Sequence, residues 1–161
     1  MSSKVAIYPG SFDPITFGHL DIVNRSLEIF DEVIIAVARN PAKKTLFTVD
    51  ERVGLIREVL AGNGKASVDT FDGLLIDYVL SRGAKVIIRG LRAASDFEYE
   101  FQIAHMNRAI SLGVESLFMM TSVPFSYLSS SIVKEVSFLK GPVNGLVHPL
   151  VIKSLNVKFN R

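Results

Sequence analysis

Five short runs rich in β-branched and aliphatic residues, KVAIY, EVIIAV, ASVDTF, KVIIR and ESLFMM, alternate with stretches whose apolar residues recur every three or four positions. This rotation constrains the fold more than any other feature. Strand and helix in strict alternation imply parallel βαβ units, since parallel neighbours must be joined by crossover helices. The first helical stretch carries Leu20, Val23, Leu27 and Phe30 as one buried stripe. The second opens on Thr48 and Glu51, a capping-box pattern, ahead of Val53, Ile56 and Leu60. The third, LLIDYVLSRG, stops at Gly83, a residue suited to a left-handed C-terminal position. DFEYEFQIAHMNRAIS and SSSIVKEVSFL supply the fourth and fifth helices, and a last amphipathic piece follows Pro149.

Right-handed crossovers with helices on both faces give an α/β, doubly wound, Rossmann-like sheet. The expected architecture is a single domain over residues 1–161 with a five-stranded parallel sheet in the order 3-2-1-4-5. Strands 1 and 4 are then neighbours at the switch point, where ligands bind outside the carboxyl ends. The first of these strands ends in YPGSF and the fourth in IRGLRAASDFEYE. The two most unusual loops of the chain are expected to face one crevice.

Composition narrows what that crevice can do. No apolar block approaches the ~20 residues of a spanning helix, so no membrane partner is expected. The N-terminal MSSKVAIYPG lacks the apolar stretch of an export signal, which makes the cytoplasm the expected setting. With no cysteine, disulfides, thiol catalysis and zinc–thiolate sites are excluded. A formal net charge of +2 is too small to imply a nucleic-acid binder, so the placement of the basic residues matters more than their sum.

In YPGSFDPITFGHLDIV, residues 8–23, Gly10 allows close backbone approach or a positive φ, Asp13-Pro14 favours a turn, and Thr16 is a plausible cap. Gly18 and His19 fall in the first helical turn, where free N–H groups and the helix dipole favour an anion and an imidazole adds a donor. Read alone, Gly10 is a turn glycine and His19 a surface residue. Other loops argue against that plainer reading. Lys43 and Lys44 follow strand 2, Arg89 and Arg92 bracket Gly90, and three serines precede a helix bearing Lys134. Guanidinium forks suit phosphate, and a serine-rich helix mouth is a second anion site, although one of those serines is expected only to cap.

Neither a Walker A sequence nor G-x-G-x-x-G nor H-E-x-x-H is present. Instead, GSFDPITFGH together with LSSSIVK resembles the nucleotidylyltransferase superfamily, whose signatures are a T-x-G-H-type motif and a serine-rich I-S-S-S-x-V-K motif. NPAKKTLFT, IRGLRAASDFEYEFQIAHMNR and SSSIVKEV extend the likeness over nearly the whole chain to the phosphopantetheine adenylyltransferase family. Ser11 stands where that family often has Thr, and Phe17 where it often has Asn. The resemblance implies adenylyl transfer from ATP to 4′-phosphopantetheine, with Mg²⁺ and a homohexameric assembly. It assigns His19 to the ATP phosphates and the transition state, and places Ser11 and Phe12 where the two substrates meet. Lys43 and Arg89 would hold phosphopantetheine, with Leu75 in its apolar wall. Gly90, Leu91, Arg92, Glu100, Phe125, Ser126, Tyr127, Leu128, Ser129, Ser130 and Ser131 would contact ATP. No protein ligand to the metal is identifiable, and for Asp13 a turn role is the expectation.

The chemistry agrees with this assignment. A phosphate nucleophile, whose second pKa is about 6, needs no general base near neutral pH. A crevice of Lys, Arg, His and Ser without paired carboxylates suits a reaction that depends on positioning and charge neutralisation. Two other readings stay open: adenylyl transfer to a different phosphorylated acceptor, and a nucleotide-sensing module that binds ATP without releasing pyrophosphate.

Overall fold

The computed structural model describes residues 4–92 and 94–160, with no side-chain account of 94–96. Ala93 of the RGLRAASDFEYE block and Met1–Ser3, on which the export reading partly rested, lie outside the described residues. Five strands, β1 (Val5–Gly10), β2 (Glu32–Ala38), β3 (Ala66–Phe71), β4 (Val86–Leu91) and β5 (Glu115–Met120), form one parallel sheet in the order β3-β2-β1-β4-β5. The order is the one expected from the sequence. Six α-helices connect or flank them: α1 (Phe17–Ser26), α2 (Val49–Val59), α3 (Leu75–Ser81), α4 (Ala94–Ile110), α5 (Ser130–Phe138) and α6 (Pro149–Lys158). A 3₁₀ turn at Val123–Phe125 precedes α5.

Period-two alternation sorts the strands between two cores. Ala6, Tyr8, Val33, Ile35, Val37 and Ile88 face one side, where α1, α2, α5 and α6 contribute Val23, Ile56, Val133 and Leu155. Ile7, Ile34, Ala36 and Ile87 face the other and meet Ile76 and Val79 of α3. Strands buried on both faces read as continuous apolar runs, which is why they are so plain in the sequence.

Helix limits follow local chemistry. Thr48 and Glu51 close a reciprocal capping box on α2, and Gly83 takes φ 64° just beyond α3. In α1 the buried face differs from the expected stripe. It centres on Ile22, Val23 and Ser26, while Leu20, Leu27 and Phe30 only border the core. Ser26 tolerates burial because its hydroxyl donates to the Ile22 carbonyl at 2.6 Å. The fourth helix begins at Ala94, two residues before the expected Asp96.

The sheet opens where the ligand crevice was expected. β1 pairs with β2 over six residues and β4 with β5 over six, yet β1 and β4 pair only at Ala6–Val86 and Ile7–Ile87. Beyond these the two strands no longer pair, and the carboxyl ends of both line a cleft.

Candidate active site

The cleft, about 270 Å³ in volume, is walled by the ends of β1 and β4, the mouth of α1 and the segment leading into α5. Gly90 permits its floor. A Cβ there would stand 3.3 Å from both the Tyr8 hydroxyl and Ile22. Gly10 acts differently from the expectation of a positive φ: it is extended strand, and a Cβ would press on the Phe12 ring at 3.0 Å. The left-handed residue is Phe12 itself, at φ 47°, a conformation uncommon outside glycine. This turn buries the Phe12 ring, which meets Tyr8 edge-on at 5.3 Å and His19 at 5.1 Å.

His19 is fixed from both ends of its side chain. Thr16 caps α1 by accepting from the His19 N–H, and the Thr16 N–H donates to Nδ1 at 3.0 Å. The imidazole thus fills the place that Glu or Gln takes in an ordinary capping box. With Nδ1 accepting, the ring proton resides on Nε2. Burial, helped by the Arg92 charge, pushes the His19 pKa down to about 4, so the ring is neutral at pH 7. It is a proton-bearing donor without a full charge. Burial likewise raises the Tyr8 phenol against the opposing pull of Arg89 and Arg92, which keeps it protonated.

Arg89 projects from β4 into the cleft. It makes a fork–fork pair with Glu100 of α4, both contacts at 2.5 Å, and reaches the Pro9 carbonyl at 3.4 Å. Arg92 is exposed at the lip, beyond the end of β4. On the opposite wall the serines divide their work. Ser129 caps α5 by accepting from the Ile132 N–H, Ser130 donates to the Pro14 carbonyl at 2.7 Å, and Ser131 lines the cleft from the first turn.

Lys134 does not add its charge to this second anion site, as its helix position suggested. Its ammonium binds the buried Asp13 carboxylate at 2.5 Å. Asp13 also accepts from the Leu46 and Phe47 N–H groups at 3.0 and 2.9 Å, so its turn holds two other segments in place.

The cleft therefore gathers Phe12, His19, Arg89, Gly90, Arg92, Leu128, Ser129, Ser130 and Ser131. Ser11 and Lys43 stand together beside it, the ammonium donating to the Ser11 hydroxyl at 3.3 Å. Leu91, Glu100, Phe125, Ser126 and Tyr127 are set behind or beside its walls, and Tyr127 is exposed. Leu75 begins α3 and packs against the Ile7–Ile34 core, outside the cleft walls. Sequence reasoning missed Tyr8, Thr121 and Arg52. Arg52, buried to 3% exposure, had a signal: it lies four residues before Ile56, on the stripe of α2 that faces the core.

Among the described residues no cluster of three or more His, Asp or Glu side chains could hold a metal. The Asp13 and Glu100 carboxylates are both taken by cations. A protein-held metal site does not fit these residues.

A model of the cytidylyltransferase-like family matches residues 7–136, which include both helix mouths and every wall of the cleft. These are nucleotidyltransferases, and the class agrees with the fold and the site. Over the whole chain the likeness is narrower. A phosphopantetheine adenylyltransferase of Geobacter metallireducens is 71% identical over 100% of this chain and 99% of its own. One of Geobacter sulfurreducens is 72% identical over 99% and 97%, and one of Geotalea daltonii 66% over 100% of both. The chain belongs to the phosphopantetheine adenylyltransferase family. A crystal structure provisionally named a nicotinate-nucleotide adenylyltransferase, from Vibrio parahaemolyticus, superposes with TM-score 0.69 over 97% of this chain and 93% of its own. At 17% identity it attests the fold alone.

Proposed function

We propose that this enzyme transfers the adenylyl group of ATP to 4′-phosphopantetheine, giving dephospho-coenzyme A and pyrophosphate, the penultimate step of coenzyme A synthesis. The observation that carries this reading is the neutral, fixed His19 at the mouth of α1, opposite Arg89 and Arg92 and the serine-capped α5. An oxygen of the acceptor phosphate attacks the α-phosphorus. The bond from that phosphorus to the β-bridging oxygen breaks, and pyrophosphate leaves with the electron pair. No proton has to be removed from the nucleophile, which accords with a cleft without a free carboxylate base.

In this reading Nε2–H of His19 donates to the triphosphate where negative charge shifts during transfer, and a neutral donor avoids holding pyrophosphate too tightly afterward. Arg92, Gly90, Leu91, Glu100 and the segment Phe125–Ser131 serve ATP. Lys43 and Arg89 serve the acceptor phosphate, Ser11 and Phe12 lie at the junction, and Leu75 meets the pantetheine arm beyond the cleft. Two of the Arg89 donors remain after its bonds to Glu100 and Pro9. Nucleotidyltransferases generally use a divalent metal. Here we assign Mg²⁺ to the nucleotide, as MgATP, since Mg²⁺ keeps waters and takes substrate phosphates as ligands.

We read residues 1–161 as one nucleotidylyltransferase domain working in the cytoplasm; among the described residues no helix is long and apolar enough to cross a membrane. A homohexamer is supported by α4, where Tyr99, Met106 and Ile110 are 64%, 60% and 48% exposed. Incubating the protein with MgATP and a panel of phosphorylated acceptors, with products identified by mass spectrometry, tests the reading. Dephospho-coenzyme A and pyrophosphate are expected. Transfer only to another acceptor, or ATP binding without pyrophosphate, would favour the alternatives.

A further inference from the structure

Two loops meet beside the cleft: residues 11–13 after β1, and residues 39–48 between β2 and α2. They are tied at three points. Lys43 Nζ donates to Ser11 Oγ at 3.3 Å, the Leu46 and Phe47 N–H groups donate to Asp13, and Arg52 NH1 donates to the Ser11 carbonyl at 2.6 Å. Arg52 also donates through Nε to the Thr48 carbonyl at 3.3 Å. One buried guanidinium therefore grips the end of one loop and the backbone of the other. An arginine that served only to fill α2's buried face would be a poor choice, because burying a charge is costly and an aliphatic side chain fills space without that cost.

We propose that Arg52 is a positioning residue for the acceptor phosphate: by fixing the Ser11 carbonyl against Thr48, it sets the Ser11 hydroxyl and the Lys43 ammonium in register with the cleft. Ser11 precedes Phe12, whose φ of 47° reverses the chain. That φ turns the Ser11–Phe12 peptide, and Arg52 donates to its carbonyl. On the other side Asp13 is held by Lys134 of α5 at 2.5 Å, a separate tie between this turn and the nucleotide-side wall. The inference rests on the reading of Lys43 as the acceptor contact.

The experiment compares the parent enzyme with Arg52→Gln and Arg52→Lys. For each, calorimetry gives the Kd of ATP and of 4′-phosphopantetheine, initial rates give both KM values and kcat, and a melting curve gives Tm. In Arg52→Gln the acceptor KM and Kd should rise by about tenfold or more, the effect of losing one hydrogen bond from a charged donor, while the ATP Kd stays within about twofold. Arg52→Lys, which keeps a charge able to reach one carbonyl, should recover part of the acceptor affinity; if Arg52→Gln does not fold, this variant is judged by the same two titrations. Lowered Tm with both KM values unchanged, or equal weakening of both substrates, would overturn the proposal. If the parent itself forms no dephospho-coenzyme A, the functional reading fails instead, so the two failures are distinguishable.

Discussion

The Thr16 N–H donates to Nδ1 of His19 at 3.0 Å, beside the Thr16 hydroxyl at the same distance, and because an N–H can only donate, Nδ1 accepts and Nε2 carries the proton. Because Thr16 is also the N-cap of α1, the tautomer is determined by the same turn that starts the helix. The local fold and the chemistry of the site are thus one arrangement. His19→Ala should lower kcat by about 10²–10³, the usual loss for one preorganised donor, with a much smaller change in ATP affinity. Steady-state kinetics with calorimetry on a folded variant checks this, and a kcat within a few-fold of the parent would contradict it.

The depressed pKa of His19 has a sign that can be tested. The unfolded chain takes up a proton near pH 6.5, whereas the folded ring does so only near 4. Stability contributed by the neutral ring is complete above pH 6.5 and falls as pH drops toward 4. Urea midpoints at pH 7 and pH 5 should therefore fall further in the parent than in His19→Gln. Equal losses in both proteins would show that the ring is not held neutral. Proton NMR of the imidazole should agree, with no titration between pH 6 and 9.

The two sides of the cleft should be separable by substitution. Lys43→Ala is expected to weaken 4′-phosphopantetheine binding more than ATP binding, and Arg92→Ala to do the reverse. Each loss should be at least about tenfold on the affected ligand, as for a charged hydrogen bond. Calorimetric titration of each ligand into each variant decides it. Equal losses for both ligands would refute the division.

Much of this was legible in the sequence because parallel strands buried on both faces leave unbroken apolar runs, and because Thr48–Glu51 and Gly83 mark helix ends by local chemistry. The switch-point crevice followed from strand order. What was hidden depends on pairing between distant segments. Lys134 reads as a free cation until the fold brings Asp13 beside it, 121 positions away. Phe12 reads as an ordinary aromatic until the turn forces φ 47° upon it. Thr16 was readable as a cap, but its reciprocal bond to a histidine was not, since the familiar partner at that spacing is Glu or Gln.

The α4 surface carries the assembly prediction. Phe97 and Phe101, four residues apart, lie on one side with ring centroids 5.4 Å apart, and Phe97 also meets Phe118 at 5.6 Å. Tyr99, two positions from each and about 200° around the helix, faces elsewhere. Phe97 and Phe101 remain 40% and 46% exposed, and apolar surface of this kind often marks interaction sites. Tyr99→Asp or Phe101→Asp should yield smaller species than a hexameric parent by light scattering, with unchanged circular dichroism. A parent that is monomeric at micromolar concentration would contradict the assembly.

The proposed function depends on attack by the acceptor phosphate on the α-phosphorus of ATP. It is tested most directly by labelling the terminal phosphate oxygens of 4′-phosphopantetheine with ¹⁸O and following the reaction by phosphorus-31 NMR. Such an attack leaves every label in dephospho-coenzyme A, one of them now bridging to the adenylyl phosphorus, and none in pyrophosphate. Label in pyrophosphate, or an adenylyl phosphorus bridged only by ¹⁶O, would contradict it.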